Sequence, residues 1–298
     1  MGTPDFACFP LLRIYNDGHD IAGVFTQPDK PQGRGMKLGF SPVKETALKH
    51  SIPVYQPVNI KDGTVEDLIR DLYCDMIVVV AYGRKLPVTL LELPPLGCVN
   101  IHASLLPKYR GAAPIQWAII KGEYETGVTA MYIDEEIDAG DIILSDTTEI
   151  GEDETAGELY ERLKVMGAEL ISKTIDDISN GSAKRFAQDH DKASYAPPLD
   201  KASSPIDWTQ TAHMIKCKVR GLNPWPVATA IIGDKECKVF SVSTSERKTD
   251  RAPGEIVYAG KGGIEVACAD GTVYIEQLQA PGGKRMPAAD YARGRAFL

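Results

Sequence analysis

Short apolar runs bounded by glycine, proline and polar residues alternate with stretches of helical period over the first two thirds of the chain. Residues 21–26, 76–81, 97–101 and 127–133 are such runs, and each reads as a strand. The run 76–81 is apolar without a break, as in a strand covered on both faces. Phe6, Phe9, Leu12 and Ile14 keep a helical spacing behind Thr3–Pro4–Asp5, where a capping hydroxyl precedes proline at the first helical position. Ser41–Pro42 caps a second helix over 43–50, a third amphipathic helix covers 64–72, and a fourth covers 112–121. A long helix over 155–180 stops at Gly181. Alternating strands and helices predict a doubly wound α/β domain that binds its ligands where strands end, here after 76–81 and 97–101.

The pattern changes towards the C-terminus. Residues 188–205 are polar, proline-marked and aperiodic, and read as a linker between one domain over 1–187 and another over 206–298. A helix over 209–220 carries His213, Lys216, Lys218 and Arg220. Strand candidates follow at 227–232, 236–242, 254–258, 264–268 and 273–278, separated by Gly–Asp, Gly–Gly and Asp–Gly turns. Short strands at this density predict a small OB-like β-barrel, a common nucleic-acid platform. Trp208 and Trp225 are expected in domain packing.

Candidate chemistry sits at the ends of two strands. Asn100 and His102 are two apart, so their side chains leave the same face of the strand over 97–101. The next segment, 104–114, holds Pro107, Gly111 and Pro114 and is expected to be irregular. The strand over 127–133 runs into an acidic loop with Asp138, Gly140 and Asp141. Moving a one-carbon acyl group between nitrogens creates a tetrahedral oxyanion and needs a proton taken up and delivered. An amide such as Asn100 can donate to that oxyanion. Imidazoles exchange protons near neutral pH, and Asp138 could orient His102, stabilise its cation or relay a proton through water. Spacing alone leaves structural roles for His102 and Asp138 open.

Composition narrows the setting. The chain of 298 residues is 43% apolar and 25% charged, ordinary for a globular protein with room for two cores. No apolar run reaches the length of a membrane span, and no charged-then-apolar leader precedes the fold, so a cytoplasmic protein is expected. Cys8, Cys74, Cys98, Cys217, Cys237 and Cys268 are scattered without CxxC pairs and read as reduced thiols, with no metal site. The net charge of −8 is unevenly divided: residues 1–198 carry 19 basic and 30 acidic side chains, residues 199–298 carry 14 and 11. Phosphate contacts supply most non-specific nucleic-acid affinity. A nucleic-acid partner would therefore meet the C-terminal domain and one basic stretch, 30–44, which has Lys30, Arg34, Lys37 and Lys44 and no acid.

Several long motifs carry a family resemblance. AYGRKLP (81–87), NIHASLLPKYRGAAPIQ (100–116), ETGVTAMYID (125–134) and IDAGD (137–141) resemble the 10-formyltetrahydrofolate-dependent formyltransferases. GTPDFA (2–7), QPDKPQGRGMKL (27–38), SPVK (41–44) and NPWP (223–226) are similar to the members that formylate methionine on initiator tRNA. The resemblance runs nearly end to end. It implies a Rossmann-like formyltransferase domain, with Asn100, His102 and Asp138 as catalytic trio. It implies a folate site at Ser104, Leu105, Leu106 and Pro107, with backbone near Tyr82, Gly83 and Leu86 meeting the pterin. The cosubstrate would be 10-formyltetrahydrofolate, and the partner initiator Met-tRNA, met by a monomer. Lys30, Arg34 and Lys37 would enter its acceptor stem, while Lys284 and Arg285 are the exposed basic pair of the barrel. Family members carry further apolar residues ahead of Gly2, so the first strand is expected to be missing. Glu136, Ala139 and Trp117 stand where glycine, threonine and arginine are common. Two rivals remain: a formyltransferase acting on an amino sugar or purine precursor, and a non-catalytic tRNA-binding protein. The basic stretch and barrel argue against the first, and the intact trio against the second.

Overall fold

A computed structural model describes residues 1–32, 37–245 and 247–293. Two compact units emerge, and neither is continuous in sequence. Residues 1–111, 126–148 and 160–195 form one; residues 112–125, 149–159 and 196–298 form the other.

The first unit contains α1 (Cys8–Asn16), β1 (Val24–Phe25), β2 (Lys30–Gln32), β3 (Lys37–Gly39) and α2 (Pro42–Lys49). It continues with β4 (Val54–Tyr55), α3 (Thr64–Asp71), β5 (Ile77–Val79) and β6 (Cys98–His102). After these come most of β7 (Glu125–Tyr132) and β8 (Ile142–Glu149), and most of the long helix α4 (Ala156–Ser179). β1 and β4 pair in parallel, and a second sheet runs β5-β6-β7-β8. Within it β6 is parallel to β5 and antiparallel to β7, with Val79 beside Asn100 and Thr129 opposite His102. Alternating β and α segments, buried as the apolar runs require, give the expected doubly wound arrangement. Within the basic stretch 30–44, β2 and β3 pair antiparallel, with Lys30 opposite Gly39 and Pro31 opposite Leu38. Two isolated edge strands accommodate a proline that has no N–H to donate.

Two extended residues bridge the sheets. Met1 O accepts from Val80 N at 2.9 Å, and Gly2 N donates to Phe25 O at 2.9 Å, so Met1–Gly2 lie between β1 and β5. A cavity of about 370 Å3 opens beside them, lined by Ile14, Val24, Ile77 and Val78 among others. α4 covers β6 closely at Gly167, where a Cβ would sit 3.1 Å from Ile101 Cγ2. Phe6 packs edge-on against Tyr160, ring centroids 5.3 Å apart. Val99 and Leu90 are wholly buried, and burial of such side chains stabilises by about 1.5–3 kcal/mol each.

The second unit is built on α5 (Ala212–Gly221), which Thr211 caps by accepting from Met214 N at 3.3 Å. Its strands are β9 (Ala228–Ile232), β10 (Lys235–Ser245), β11 (Ile256–Gly260), β12 (Gly263–Ala267), β13 (Thr272–Gln279) and β14 (Met286–Pro287). They pair antiparallel in the order β9-β10-β13-β12-β11, with β14 on β13. The five expected strands are present; among the described residues the ladder shows no pairing between β9 and β11. Ile215, Val219, Val239, Ile264 and Ile275 form its core. The short helix Pro114–Ile120 belongs to this unit, and Trp117 and Ile120 pack on that core. Trp117 Nε1 also donates to Pro197 O at 2.8 Å, which gives the residue at this unusual position a packing role. Trp208 packs on the same core, whereas Trp225, also expected in packing, is exposed. Proline on either side of Trp225 limits how far that segment can fold inwards.

Candidate active site

The end of β6 carries the first two candidates. Asn100 is half-buried and His102 is 6% exposed. His102 Nε2 lies 2.9 Å from Tyr109 O. A carbonyl only accepts, so Nε2 carries the hydrogen and Nδ1 is the nitrogen left to take up a proton. Asp138 Oδ2 lies 3.6 Å from Nδ1. The structure thus brings His102 and Asp138 together, with Asn100 two residues back on the same strand face.

The loops around these groups are held by backbone geometry. Tyr109 has φ 61° and Asp138 φ 52°, both in the left-handed region that disfavours side chains. Tyr109 is anchored by its N–H, which donates to Ser194 Oγ at 2.9 Å. Asp138 is anchored by Gly111 N–H, which donates to Oδ2 at 2.8 Å. The acidic loop returns to the end of β7 at Gly140, where a Cβ would fall 2.0 Å from Tyr132 O. Only glycine permits that approach.

The segment expected at the folate is fixed from beneath. Ser104 is wholly buried, and its Oγ donates to Lys108 O at 2.7 Å. Thr129 Oγ1 donates to Ser104 O at 2.6 Å and accepts from Leu106 N at 3.3 Å. One hydroxyl thus staples both sides of the 104–106 turn. Leu105 and Pro107 are half-buried and Leu106 is buried. Tyr82 and Leu86 are buried in an apolar cluster with Phe25, Ile77 and Leu90. Burial pushes the Tyr82 hydroxyl up, and that oxygen has no hydrogen-bond partner among the described residues. Tyr82 O accepts from Thr3 Oγ1 and Gln27 Nε2, while Gly83 is exposed with φ 77°.

The basic residues divide by environment. Lys30 is exposed and its Nζ donates to Gln27 Oε1 at 2.9 Å. Lys37 lies in β3, and Arg34 falls outside the described residues. Lys44 is occupied: Nζ is 2.6 Å from Asp29 Oδ2 and 3.9 Å from the Phe40 ring centroid. That Lys44 contact, with Gln56, holds the Asp29 carboxyl below the usual range. In the second unit Lys284 is exposed; Arg285 donates to Gln277 Oε1 at 2.6 Å and stacks 4.5 Å from the Phe240 ring centroid. The cations of α5 are used internally: Lys216 pairs with Asp153 at 2.6 Å, Lys218 donates to Pro205 O, and Arg220 donates to Gly151 O.

Sequence reasoning missed the supports of this site. Thr129, the Tyr109 carbonyl and the Gly111 N–H all lie inside or opposite the matched motifs, so proximity in sequence was an available signal. Arg110 and Gln188, buried together with Gln188 Nε2 on Asp138 O at 2.9 Å, were not anticipated. Nothing in the polar stretch around Gln188 marks it.

The formyl transferase family profile matches residues 7–175, and the formyl transferase C-terminal domain profile matches residues 198–296. A methionyl-tRNA formyltransferase of Clostridioides difficile (strain 630) is 48% identical over 297 residues, covering all of this chain and 96% of that protein. Among solved structures, WlaRD, a sugar 3N-formyl transferase crystallised with dTDP and 5-N-formyl-THF, is similar at TM-score 0.68 and 21% identity. That match covers 94% of this chain and 95% of that one. HypX from Aquifex aeolicus, crystallised with tetrahydrofolic acid, matches at TM-score 0.58 and 21% identity over 83% of this chain, which spans 43% of HypX. At that identity the solved structures speak to the fold alone.

Proposed function

The chain belongs to the formyl transferase family, among the methionyl-tRNA formyltransferases, and from that premise we propose how its residues perform the reaction. The enzyme transfers the formyl group of 10-formyltetrahydrofolate to the α-amine of methionine on initiator Met-tRNA. The neutral amine attacks the formyl carbon, a C–N bond forms, and the carbonyl oxygen becomes an oxyanion. The Asn100 carboxamide donates to that oxyanion, a contact that strengthens as charge develops. The amine's proton passes to His102 Nδ1, and Asp138 Oδ2, 3.6 Å away, stabilises the imidazolium. The same proton then goes to N10 of the folate as the C–N10 bond breaks, leaving tetrahydrofolate and N-formylmethionyl-tRNA. The Tyr109 carbonyl holds the ring by Nε2 throughout.

The folate is assigned to Ser104–Leu105–Leu106–Pro107 and the backbone near Tyr82, Gly83 and Leu86. The acceptor stem is assigned to Lys30, Arg34 and Lys37, and further tRNA contact to Lys284 and Arg285. Catalysis and the acceptor stem fall to residues 1–187, and the further tRNA holding to residues 206–298, in a monomer. The observation that carries the reading is the His102–Asp138 pair at the end of β6, within a chain so close in sequence to a methionyl-tRNA formyltransferase. Competition tests it: Met-tRNA and an excess of an amino sugar nucleotide or purine precursor are offered with 10-formyltetrahydrofolate. Formyl label is expected on the tRNA alone. Label on the small amine instead rejects the assigned acceptor.

A further inference from the structure

Two buried side chains hold the loop of the candidate catalytic carboxylate from behind. Arg110 is 2% exposed and Gln188 6% exposed. Gln188 Oε1 accepts from Arg110 Nη2 at 2.7 Å and from Nε at 3.1 Å. Gln188 Nε2 donates to Asp138 O at 2.9 Å and to Gly140 O at 2.8 Å. The guanidinium has no acceptor and the carbonyls have no donor, so the amide can sit in only one orientation. The joint demands one group with an acceptor on one side and two donors on the other. A carboxamide supplies both; a carboxylate, an ammonium or an apolar chain does not. Arg110 Nη1 extends the chain to His190 Nδ1 at 3.5 Å.

We propose that Gln188, set by Arg110, is a positioning residue that fixes Asp138 against His102. This rests on the catalytic reading of Asp138 given above. The two carbonyls it holds are that of Asp138 itself and that of Gly140, two residues further on. Gly111, the neighbour of Arg110, holds Oδ2 directly at 2.8 Å. The same short segment thus fixes the loop backbone through Gln188 and the carboxylate through its own N–H. Asp138 stands at φ 52°, a conformation the surroundings must impose. Release of the carbonyls lets the loop relax, and the 3.6 Å approach to Nδ1 is lost. Small misplacements of this kind cost about 100-fold in rate.

The test is single-turnover formylation of Met-tRNA by Gln188→Glu and Gln188→Met, because single-turnover constants do not depend on the fraction of folded enzyme. Gln188→Glu keeps an acceptor for Arg110 and loses both donors; Gln188→Met keeps the volume and loses every polar contact. Each is expected to lower the rate constant by about 10- to 100-fold, with the concentration of folate giving half-saturation unchanged. In an Asp138→Ala background the same substitutions are expected to change the residual rate less than about 2-fold, since coupled residues are non-additive. Equal losses in both backgrounds, or a wild-type rate in Gln188→Glu beside a slow Asp138→Ala, overturn the positioning role alone. A wild-type rate in Asp138→Ala overturns the catalytic reading, and this role with it.

Discussion

Each ring nitrogen of His102 faces a different segment of chain: Nε2 the Tyr109 carbonyl, Nδ1 the Asp138 carboxylate. That division lets one imidazole be held and still accept a proton. Asn100→Ala removes only a donor to charge that develops during reaction. It is expected to lower kcat by about 100- to 1000-fold with KM nearly unchanged, read in steady-state formylation. Thr129 makes a different kind of contribution, since its hydroxyl joins Ser104 O and Leu106 N. Thr129→Val leaves both buried groups unpaired at a cost of about 1–3 kcal/mol each. A lowered melting temperature and a raised KM for 10-formyltetrahydrofolate are expected, with kcat for saturating folate less affected. Among the cysteines, burial pushes the Cys98 thiol up to about 12. At pH 8 it should stay unalkylated in the native protein while half-exposed Cys74 reacts first.

At the scale of elements, the strands that carry the site were readable because their apolar runs are continuous and their ends are marked by turn residues. Residues 97–101 and 127–133 correspond to β6 and β7 within one or two positions. The long helix expected over 155–180 is Ala156–Ser179, entered through a reciprocal cap: Thr155 N donates to Glu158 Oε2 and Glu158 N to Thr155 Oγ1. What periodicity could not show is what the irregular segments do. Residues 104–111 form no regular element long enough to have a period, yet they supply the Tyr109 carbonyl and the Gly111 N–H. Gln188 lay at the edge of an expected linker because composition records polarity, and a buried amide is as polar as an exposed one. The pairing of β2 with β3 was hidden by Pro31, since proline is disfavoured in paired strands but tolerated at edges. Gly140 was legible as a loop residue, but its close approach to Tyr132 O was not. Gly140→Ala is expected to displace the Asp138 loop and lower kcat with the fold retained, checked by activity beside circular dichroism.

Over the whole chain, charge is uneven, with the acidic balance in residues 1–198 and the basic one after. Lys284 is exposed in the C-terminal unit and is assigned to phosphate. Lys284→Ala should weaken tRNA binding, reduce the log–log salt slope by about 1, and leave the rate of bound tRNA unchanged. Carboxylates spread over both units are held below their ordinary range by their partners. Ser172 and Arg13 act on Asp17, Thr155 on Glu158, and the Ala212 N–H on Asp270. A depressed folded pKa means that the unfolded chain binds more protons, so the contribution is present above about pH 4 and disappears below it. Melting temperature is therefore expected to fall as pH drops from 5 to 3, about where carboxylates titrate.

The central claim is that His102 moves the proton in formyl transfer to Met-tRNA while tRNA is held elsewhere. Single-turnover formylation by His102→Ala, with tRNA affinity measured on the same preparation, tests it most directly. The expected result is transfer reduced by about 100-fold or more, with affinity for Met-tRNA unchanged. Transfer at the wild-type rate by a folded His102→Ala enzyme would contradict the account.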